Sequence, residues 1–462
     1  MNNDSIKIVQ FMKYLGVVLD KNLNWTDHIT MVKTRSDLLF NHLARVAKAD
    51  WGLDSAAIKE LYNAVFIPKI TYAANAWHIA ADKVRNKRTL LAAQRHAALR
   101  MAKAFRTVST EALLVICGIL PIDLVLHEKA QRYRVRKGDA ISVGDLRFDA
   151  GTYGFRPALT DLPSPPDRIT IMESTENGHE NIEVYTDGSK TDEGVGAAFV
   201  VFKHGKELTN RQYKLDGRCS VFQAELLALK MAVKYYSDKM SDEDVTMCSD
   251  SRSAIDALKQ FKDSNHLAME IKNIIKSCGG RGTIKFRWVR AHVGLIGNER
   301  ADELAKAAIN KNNTDYTVLP ATYIKRQIAE GMRNRWQLRW TESTKGRHTH
   351  NILPNIKERL EDLWWMPTGF TLTQVLSGHA FCNSYLHRIN RSPTDECDCG
   401  EDQQTVLHLI FNCHKFAALR QELECVFYHE KPSHTFDLYN VTRTKSTYPE
   451  FSRLINAIFK RT

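Results

Sequence analysis

The stretch Glu183–Ser189 reads EVYTDGS. Its β-branched and aromatic residues predict a buried strand that carries a carboxylate, Asp187, and then at once a turn glycine. Three further acids stand in contexts that could bring them to the same strand end: Glu225 in VFQAELLALKMAV, Asp250 in VTMCSDSRSAIDAL and Asp302 in HVGLIGNERADELAKAA. Carboxylates gathered in one place repel each other unless divalent cations lie between them. We therefore expect a metal site at this strand end.

Residues 181–310 alternate between strand and helix patterns. Strands are predicted near residues 182–188, 195–203, 207–215, 245–249 and 283–290. Helices are predicted at about residues 220–236, 251–261, 266–277 and 298–309. The first helix begins with capping-box spacing between Ser220 and Gln223. Three strands joined by short turns, followed by strand–helix alternation, predict a mixed five-stranded α/β sheet with flanking helices.

Each acid also has a purely structural explanation when it is taken alone. Asp187 and Asp250 both follow strand patterns, and ligands of open α/β sheets collect beyond the carboxyl ends of strands. Yet Asp187 could simply form an Asx turn with Gly188. Asp302 lies in the first turn of its helix, where the dipole favours a negative charge. Glu225 lies within the first two turns of an otherwise apolar helix. The combination, more than any one residue, therefore indicates a function.

Taken together, the four segments resemble a known family. TDGS, AEL, SDS and AHVGLIGNERADELA are similar, in order and spacing, to the motifs of type 1 ribonuclease H over about residues 181–310. The resemblance implies an α/β ribonuclease H-like fold. It also implies an enzyme that hydrolyses the RNA strand of RNA–DNA hybrids with two Mg²⁺ or Mn²⁺ ions. It places Asp187 between the two ions, with Asp250 as the second core ligand. Glu225 would complete the shell of one ion and Asp302 that of the other.

The same resemblance suggests residues around the acids that assist the reaction. His292 precedes Asp302 by ten residues on a glycine-bearing loop, which implies a role in proton transfer or product release. A lone histidine is otherwise more often structural. A hybrid duplex displays 2′-hydroxyl groups on one strand only. The residues expected to contact it flank the acids: Ser189, Gln223, Ser251 and Arg252.

The flanking segments differ in charge from this centre. Residues 1–140 predict a mostly helical region with 22 Lys and Arg against 12 Asp and Glu, whereas residues 181–310 hold 20 against 18. In a chain of formal net charge +12, this imbalance suits a polyanionic partner, and solvated helix faces would explain it equally well. The region between them, residues 141–178, is predicted to be a linker because it is rich in turn residues and holds four prolines: Pro157, Pro163, Pro165 and Pro166.

Three N-terminal segments resemble a second family. FMKYLGVVLDKNLNWTDHI, PKITYAANAW and AFRTVSTEALLVICGILPI are similar to the region that follows the polymerase core in Jockey-like non-LTR, LINE-type retrotransposon polyproteins. The resemblance implies that residues 1–140 are a thumb- or connection-like remnant of a reverse transcriptase. The paired aspartates of a polymerase active site do not occur in the sequence. We therefore expect no polymerase activity from this chain.

The C-terminal region, residues 312–462, is predicted to be helical and to hold a small zinc knuckle. The segment SPTDECDCGEDQQTVLHLIFNCHKF supplies three thiols and an imidazole, which suit tetrahedral Zn²⁺. The expected ligands of one structural ion are Cys397, Cys399, His408 and Cys413. His414 is the rival of His408, and Cys382 is a spare thiol. The alternative is a chance spacing of cysteines.

The sequence favours an enzyme over two other classes of protein. A non-catalytic nucleic-acid-binding remnant would be expected to have lost at least one of the four acids or His292, and all five are present. A scaffold that uses the helical flanks leaves no recognisable signal. No run of about 18 apolar residues and no N-terminal signal-peptide pattern occur, so we expect an intracellular location, in nucleus or cytoplasm, without a membrane span or secretion.

Overall fold

A computed structural model describes residues 9–46, 53–155, 169–172, 181–260, 265–279 and 281–459. The four prolines of the expected linker lie outside these described residues. The chain divides into two compact units. One is Gln131–Ala329, and the other combines Met1–Ala130 with Glu330–Thr462.

The strands, in chain order, are β1 (Phe11–Tyr14), β2 (Val17–Asp20), β3 (Ile141–Val143), β4 (Leu146–Phe148), β5 (Ile169–Met172), β6 (Ile182–Lys190), β7 (Val195–Lys203), β8 (Lys206–Leu215), β9 (Val245–Ser249) and β10 (Ile284–Trp288). The α-helices are α1 (Thr26–Val46), α2 (Ser55–Leu61), α3 (Ile67–Ile70), α4 (Ala74–Trp77), α5 (Val84–Ala102), α6 (Thr110–Cys117), α7 (Ile122–Lys137), α8 (Val221–Lys239), α9 (Arg252–Lys259), α10 (His266–Ser277), α11 (Ile296–Ala308), α12 (Ala321–Glu342), α13 (Arg347–Ile352), α14 (Ile356–Glu361), α15 (Phe370–Ser377), α16 (Asn383–Arg388), α17 (Ala417–Glu430), α18 (Leu438–Val441) and α19 (Tyr448–Phe459).

The unit Gln131–Ala329 is built on one mixed sheet in the order β5–β10–β9–β6–β7–β8. In this spatial order, the first four strands, β5, β10, β9 and β6, run parallel to one another. The remaining pairs, β6 with β7 and β7 with β8, are antiparallel. All five strands predicted for this region are present. The sheet nevertheless has six strands and not five, because β5, from the expected linker, pairs with β10 at the edge. Its sequence ITIM is β-branched, and an edge strand offers it an unpaired row of backbone groups.

Helices cover both faces of this sheet, as its apolar strands require. Successive side chains of a strand point to opposite faces. Val184 of β6 therefore belongs to the apolar core formed with α8, α9 and α10, while its neighbour Tyr185 belongs to the core that contains Ala301 and Leu304 of α11. Strand β7 is buried on both faces from Val195 to Val201. This two-sided burial fixes the register of the central strands and so positions the residues at their ends.

A smaller apolar cluster in the same unit corrects the prediction of a linker over its described residues 141–155. Strands β3 and β4 form a hairpin around Gly144, which has a φ of +57°. Tyr153 forms a parallel bridge with Leu319. The buried side chains of this cluster are Val135, Ile141, Val143, Phe148, Tyr153, Leu319, Ile324 and Ile328. This segment is folded although it is rich in turn residues, because its few apolar side chains pack against Leu319 and its neighbours, which are distant in sequence.

The second unit is helical, as expected for both flanks, and carries the two-stranded hairpin β1–β2. Its core is continuous between the N-terminal and C-terminal segments: Met332, Trp336 and Trp340 of α12 pack among the helices before residue 130. The guanidinium of Arg339 also donates to the buried carboxylate of Asp123. The expected division into separate N-terminal and C-terminal domains therefore differs from the structure. A helix pattern shows which face is buried but not which partner covers it.

Within the described ranges, no single helix is both long enough and apolar enough to cross a membrane, although the bent pair α6 and α7 passes that test jointly on length and composition.

Candidate functional site

The register of β6 against β9 brings two acids together. The strands run parallel, with Thr186 opposite Ser249. Asp187 and Asp250 follow these two residues directly, so they occupy neighbouring positions at the same edge of the sheet. Adjacent strands lie about 4.8 Å apart. The carboxylates of Asp187 and Asp250 are therefore within reach of one ion, as the sequence predicted.

Helix α8 adds the third acid through a close approach to β6. Ser220 caps the helix in a complete capping box with Gln223. At Gly188 a Cβ atom would overlap the backbone of Ala224 and Glu225, so only glycine lets the helix come this near. One carboxylate oxygen from each of Asp187, Glu225 and Asp250 then lies within 4.8 Å of the other two. We call these three residues the acid cluster.

Burial makes the acid cluster electrostatically costly without a cation. Asp187 is 6% exposed and Glu225 is 7% exposed. Burial, reinforced by repulsion from Asp250 and Asp302, raises the pKa of Asp187 to about 7. Burial and the charges of Asp187 and Asp250 raise the pKa of Glu225 to about 9. Glu225 Oε2 is buried without a hydrogen-bond partner among the described residues. The acid cluster thus has the donor set and the unmet charge that suit divalent cations.

Asp302, the fourth predicted acid, lies near the acid cluster but outside its closest group. Its charge contributes to the raised pKa of Asp187. Its Oδ2 is 2.7 Å from the ammonium of Lys306, one turn further along α11. His292 lies exposed on the loop between β10 and α11, with a left-handed φ of +54°. The structure therefore gathers three of the four acids closely and leaves His292 open to solvent.

Two of the residues predicted to contact substrate have structural roles. Gln223 is 3% exposed; its Oε1 accepts from the Ser220 N–H and its Nε2 donates to the carbonyl of Val318. Its geometry thus gives no support to a substrate contact, because the capping box already uses its side chain. Ser251 Oγ caps α9 by accepting from the Ala254 N–H. Ser251 as a whole is only half-buried.

The other two lie at accessible positions. Ser189 is half-buried near the end of β6. Arg252 is exposed, with its guanidinium 6.0 Å from the ring centre of Trp288. Trp288 Nε1 donates to the backbone carbonyl of Asp250 at 2.9 Å. Sequence reasoning missed Trp288, since a tryptophan at a strand end gives no local signal of its function. It also missed Asn298, which the motif GNERADELA contains and which contacts Asp250.

A second cluster, in the unit that contains the C-terminus, unites all four predicted zinc ligands. One ligand atom from each residue lies within 4.8 Å of the other three: Cys397, Cys399, His408 and Cys413. The distance from Cys397 Sγ to Cys413 Sγ is 3.9 Å, and from Cys399 Sγ to His408 Nε2 it is 3.2 Å. We call these four residues the Cys/His cluster. Three thiols and an imidazole at this spacing can bind a metal ion.

The local turn explains the close approach of the first two cysteines. Gly400 has a φ of +82°, which reverses the chain directly after Cys399. Burial raises the pKa of the Cys413 thiol to about 11, whereas a hydrogen bond from the backbone of Glu401 lowers the pKa of Cys399. His414, the rival ligand, is exposed and lies 3.4 Å from the Glu401 carboxylate. The spare thiol, Cys382, is buried and is not part of the Cys/His cluster.

Comparisons with known proteins agree with the geometry of the sheet. A sequence model of the RNase H family matches residues 179–310. Over 146 residues, or 32% of its length, the chain is 31% identical to "Retrovirus-related Pol polyprotein from type-1 retrotransposable element R1 4" of Nasonia vitripennis, and it spans 37% of that relative. The predicted resemblance to LINE-type retrotransposon polyproteins is therefore confirmed over the ribonuclease H region, whereas for the three N-terminal segments it stays a prediction.

Two further similarities span nearly the whole length of the matched protein. The chain is 28% identical over 137 residues to "Ribonuclease H" of Dichelobacter nodosus. This match covers 28% of the chain and 91% of that protein. The crystal structure of RNase H1 from Halobacterium salinarum aligns with 28% of the chain and 97% of its own length, at 20% identity and a TM-score of 0.24. We call residues 179–310, which the family model matches, the ribonuclease H domain.

Proposed function

We propose that the ribonuclease H domain of this chain, residues 179–310, hydrolyses the RNA strand of RNA–DNA hybrids in a reaction that requires divalent cations. The observation that supports this most directly is the acid cluster. Two of its carboxylates are more than nine-tenths buried, and Glu225 Oε2 lacks a hydrogen-bond partner in the described part of the chain. A purely structural acid would be expected to satisfy that oxygen, because an unpaired buried acceptor is costly.

The donor set fits Mg²⁺ or Mn²⁺, which prefer carboxylates, water and phosphate oxygens. Asp187 would contact both ions, Glu225 and Asp250 would hold them beside it, and Asp302 would complete the set. When bound, two such ions activate the attacking water and neutralise the charge on the leaving 3′-oxygen. Because the sheet and α8 hold Asp187 and Glu225 rigidly, the ligands are oriented before substrate arrives.

The exposed residues around the acid cluster have separate tasks. His292 lies open on its loop, where its imidazole can exchange a proton with the reacting strand or its product. Arg252 presents its guanidinium beside Trp288, a position suited to a phosphate of the bound duplex. Ser189 and Ser251 offer hydroxyl groups to the 2′-hydroxyls that mark an RNA strand. Shape and 2′-hydroxyl contacts, more than base identity, would then select the hybrid.

For the Cys/His cluster, we propose one structural Zn²⁺. Cys397, His408 and Cys413 are buried and Cys399 is half-buried, and all four ligand atoms come from protein side chains. A closed set of four protein ligands is typical of structural zinc, whereas catalytic zinc keeps one position open. The ion would stabilise the turn-rich segment around Gly400, which contains few apolar residues of its own.

The test is cleavage of a labelled RNA–DNA hybrid beside matched duplex RNA, duplex DNA and single-stranded RNA. We expect cleavage of the hybrid alone, with Mg²⁺ or Mn²⁺. Asp250→Asn should lower the rate by about a thousandfold or more, because it removes charge from the metal site while keeping the side-chain shape. Asp238→Asn, on the exposed part of α8, is the control and should cleave normally. A wild-type chain that binds hybrids without cleaving them would instead be the non-catalytic remnant.

A further inference from the structure

Asn298 is a buried polar residue in contact with the acid cluster. It is 3% exposed, at the start of α11. Its Nδ2 donates to Asp250 Oδ2 at 3.2 Å. Its Oδ1 is buried and finds no partner within the described ranges. An amide with one half bonded to a metal-site carboxylate and the other half unsatisfied calls for an explanation.

The packing of α11 shows that this contact is built into the fold. Gly297 lies against the ring of Tyr185, and a Cβ atom at Gly297 would overlap that ring. The Asn298 backbone N–H donates to the backbone carbonyl of Leu295, the residue that directly precedes α11. Asn298 is therefore held on both sides, and its side chain has little freedom to turn away from Asp250. The carboxylate also fixes the amide orientation, since the reverse orientation would place two oxygens against each other.

We propose that Asn298 is a positioning residue: it orients the Asp250 carboxylate for a cation, and its Oδ1 accepts a hydrogen bond from a water that the cation carries. This inference rests on the proposed function and extends it beyond the four acids. Mg²⁺ usually keeps several waters when proteins bind it, so an acceptor just outside the ligands has an evident partner. Residues that orient metal ligands typically contribute about 10- to 100-fold to metal affinity or activity.

The first test measures Mg²⁺ and Mn²⁺ binding to the full chain by calorimetry, without substrate. Asn298→Ala removes both the donor and the acceptor, and Asn298→Leu does so while keeping similar side-chain volume. Both should weaken binding about 10- to 100-fold. Asn310→Ala, at an exposed asparagine just beyond α11, should leave affinity unchanged. Unchanged affinity in a folded Asn298→Leu chain would overturn the proposal, even if Asn298→Ala fails to fold.

The second test separates this inference from the proposed activity. In hybrid cleavage, the variants should need about 10- to 100-fold more Mg²⁺ for half-maximal rate while the KM for the hybrid stays unchanged. A rate that is low at every Mg²⁺ concentration, with normal cation affinity, would contradict a positioning role. If the wild-type chain cleaves no hybrid, the proposed function fails, and the calorimetric comparison still decides the role of Asn298.

Discussion

The ammonium of Lys306 lies 2.7 Å from Asp302 Oδ2, one turn further along α11. Lys306 thus forms an ion pair with the acid that is expected to complete the metal site. The same charge opposes the rise in the pKa of Asp187. Lys306 is therefore placed to neutralise this side of the acid cluster when no cation is there. Binding of a cation by Asp302 would require the ion pair to loosen.

We therefore predict that Lys306→Met strengthens cation binding. The ion pair is exposed, with 57% of the Lys306 side chain accessible, and such pairs contribute only about 0.2–1 kcal/mol. The Mg²⁺ concentration for half-maximal cleavage should fall by about twofold to fivefold. Titration of the cleavage rate with Mg²⁺ measures this. Lys239→Met, an exposed lysine at the end of α8, is the control. A higher Mg²⁺ requirement would show that Lys306 assists the site instead of competing for Asp302.

The pKa values of the acid cluster predict how stability depends on pH. Burial, with repulsion between the acids, raises the pKa of Glu225 to about 9 and of Asp187 to about 7. Between its pKa in the unfolded protein and its higher pKa in the folded protein, each of these carboxyl groups binds more protons in the folded state. The free energy of unfolding must therefore fall as pH rises through that window, from about pH 4 to about pH 9.

Hydrogen exchange of the β6 and α8 amides with chelator present, at pH 5 and at pH 8.5 after correction for intrinsic rates, measures this fall. Glu225→Gln should flatten the profile, since a neutral amide no longer resists deprotonation. Mg²⁺ should restore protection at pH 8.5 more than at pH 5, because protons compete with cations for the carboxylates. Protection that rises with pH in the chelated protein would refute the electrostatic account.

The contact between β6 and α8 predicts a strong effect of one methyl group. Gly188→Ala would place a Cβ against the backbone of Ala224 and Glu225, which cannot move like a side-chain end. Overpacking of this kind costs about 1–3 kcal/mol and would displace the Glu225 carboxylate. The midpoint temperature of thermal unfolding and the cleavage rate should both decrease. Gly217→Ala, where nothing lies within 4 Å of an added Cβ, should change neither.

The Cys/His cluster predicts one zinc ion per chain purified without chelator. Cys413→Ala removes a buried ligand, and its zinc content should fall from about one to near zero. Elemental analysis provides the measurement. Cys425→Ser alters an exposed cysteine outside the cluster and should retain the ion. Wild-type protein that contains no zinc would reduce the four residues to a fortuitous grouping of thiols.

The sequence was sufficient to predict five strands of the central sheet and the acidic residues that the fold groups at its edge. Alternation and strand–helix order identify five of the six strands, and two-sided burial adds a long apolar run in the central strand β7 that a single sequence displays. The spacing of TDGS, AEL, SDS and the α11 motif identified the acids, and the spacing of Cys397, Cys399, His408 and Cys413 identified a group that the fold does bring together. A local sequence pattern predicts a residue's position well when that position depends only on the strand or helix to which the residue belongs.

Only the tertiary structure decided the features that depend on a distant partner. The strand β5 was hidden in an apparent linker, since its pairing depends on the free edge of β10. The shared core of Met1–Ala130 and Glu330–Thr462 was equally hidden, because an apolar stripe does not identify what covers it. Within Glu183–Ser189, the strand pattern alone predicted that Asp187 stands near the strand end. The register with β9, the glycine contact with α8 and the amide of Asn298 determine what surrounds it.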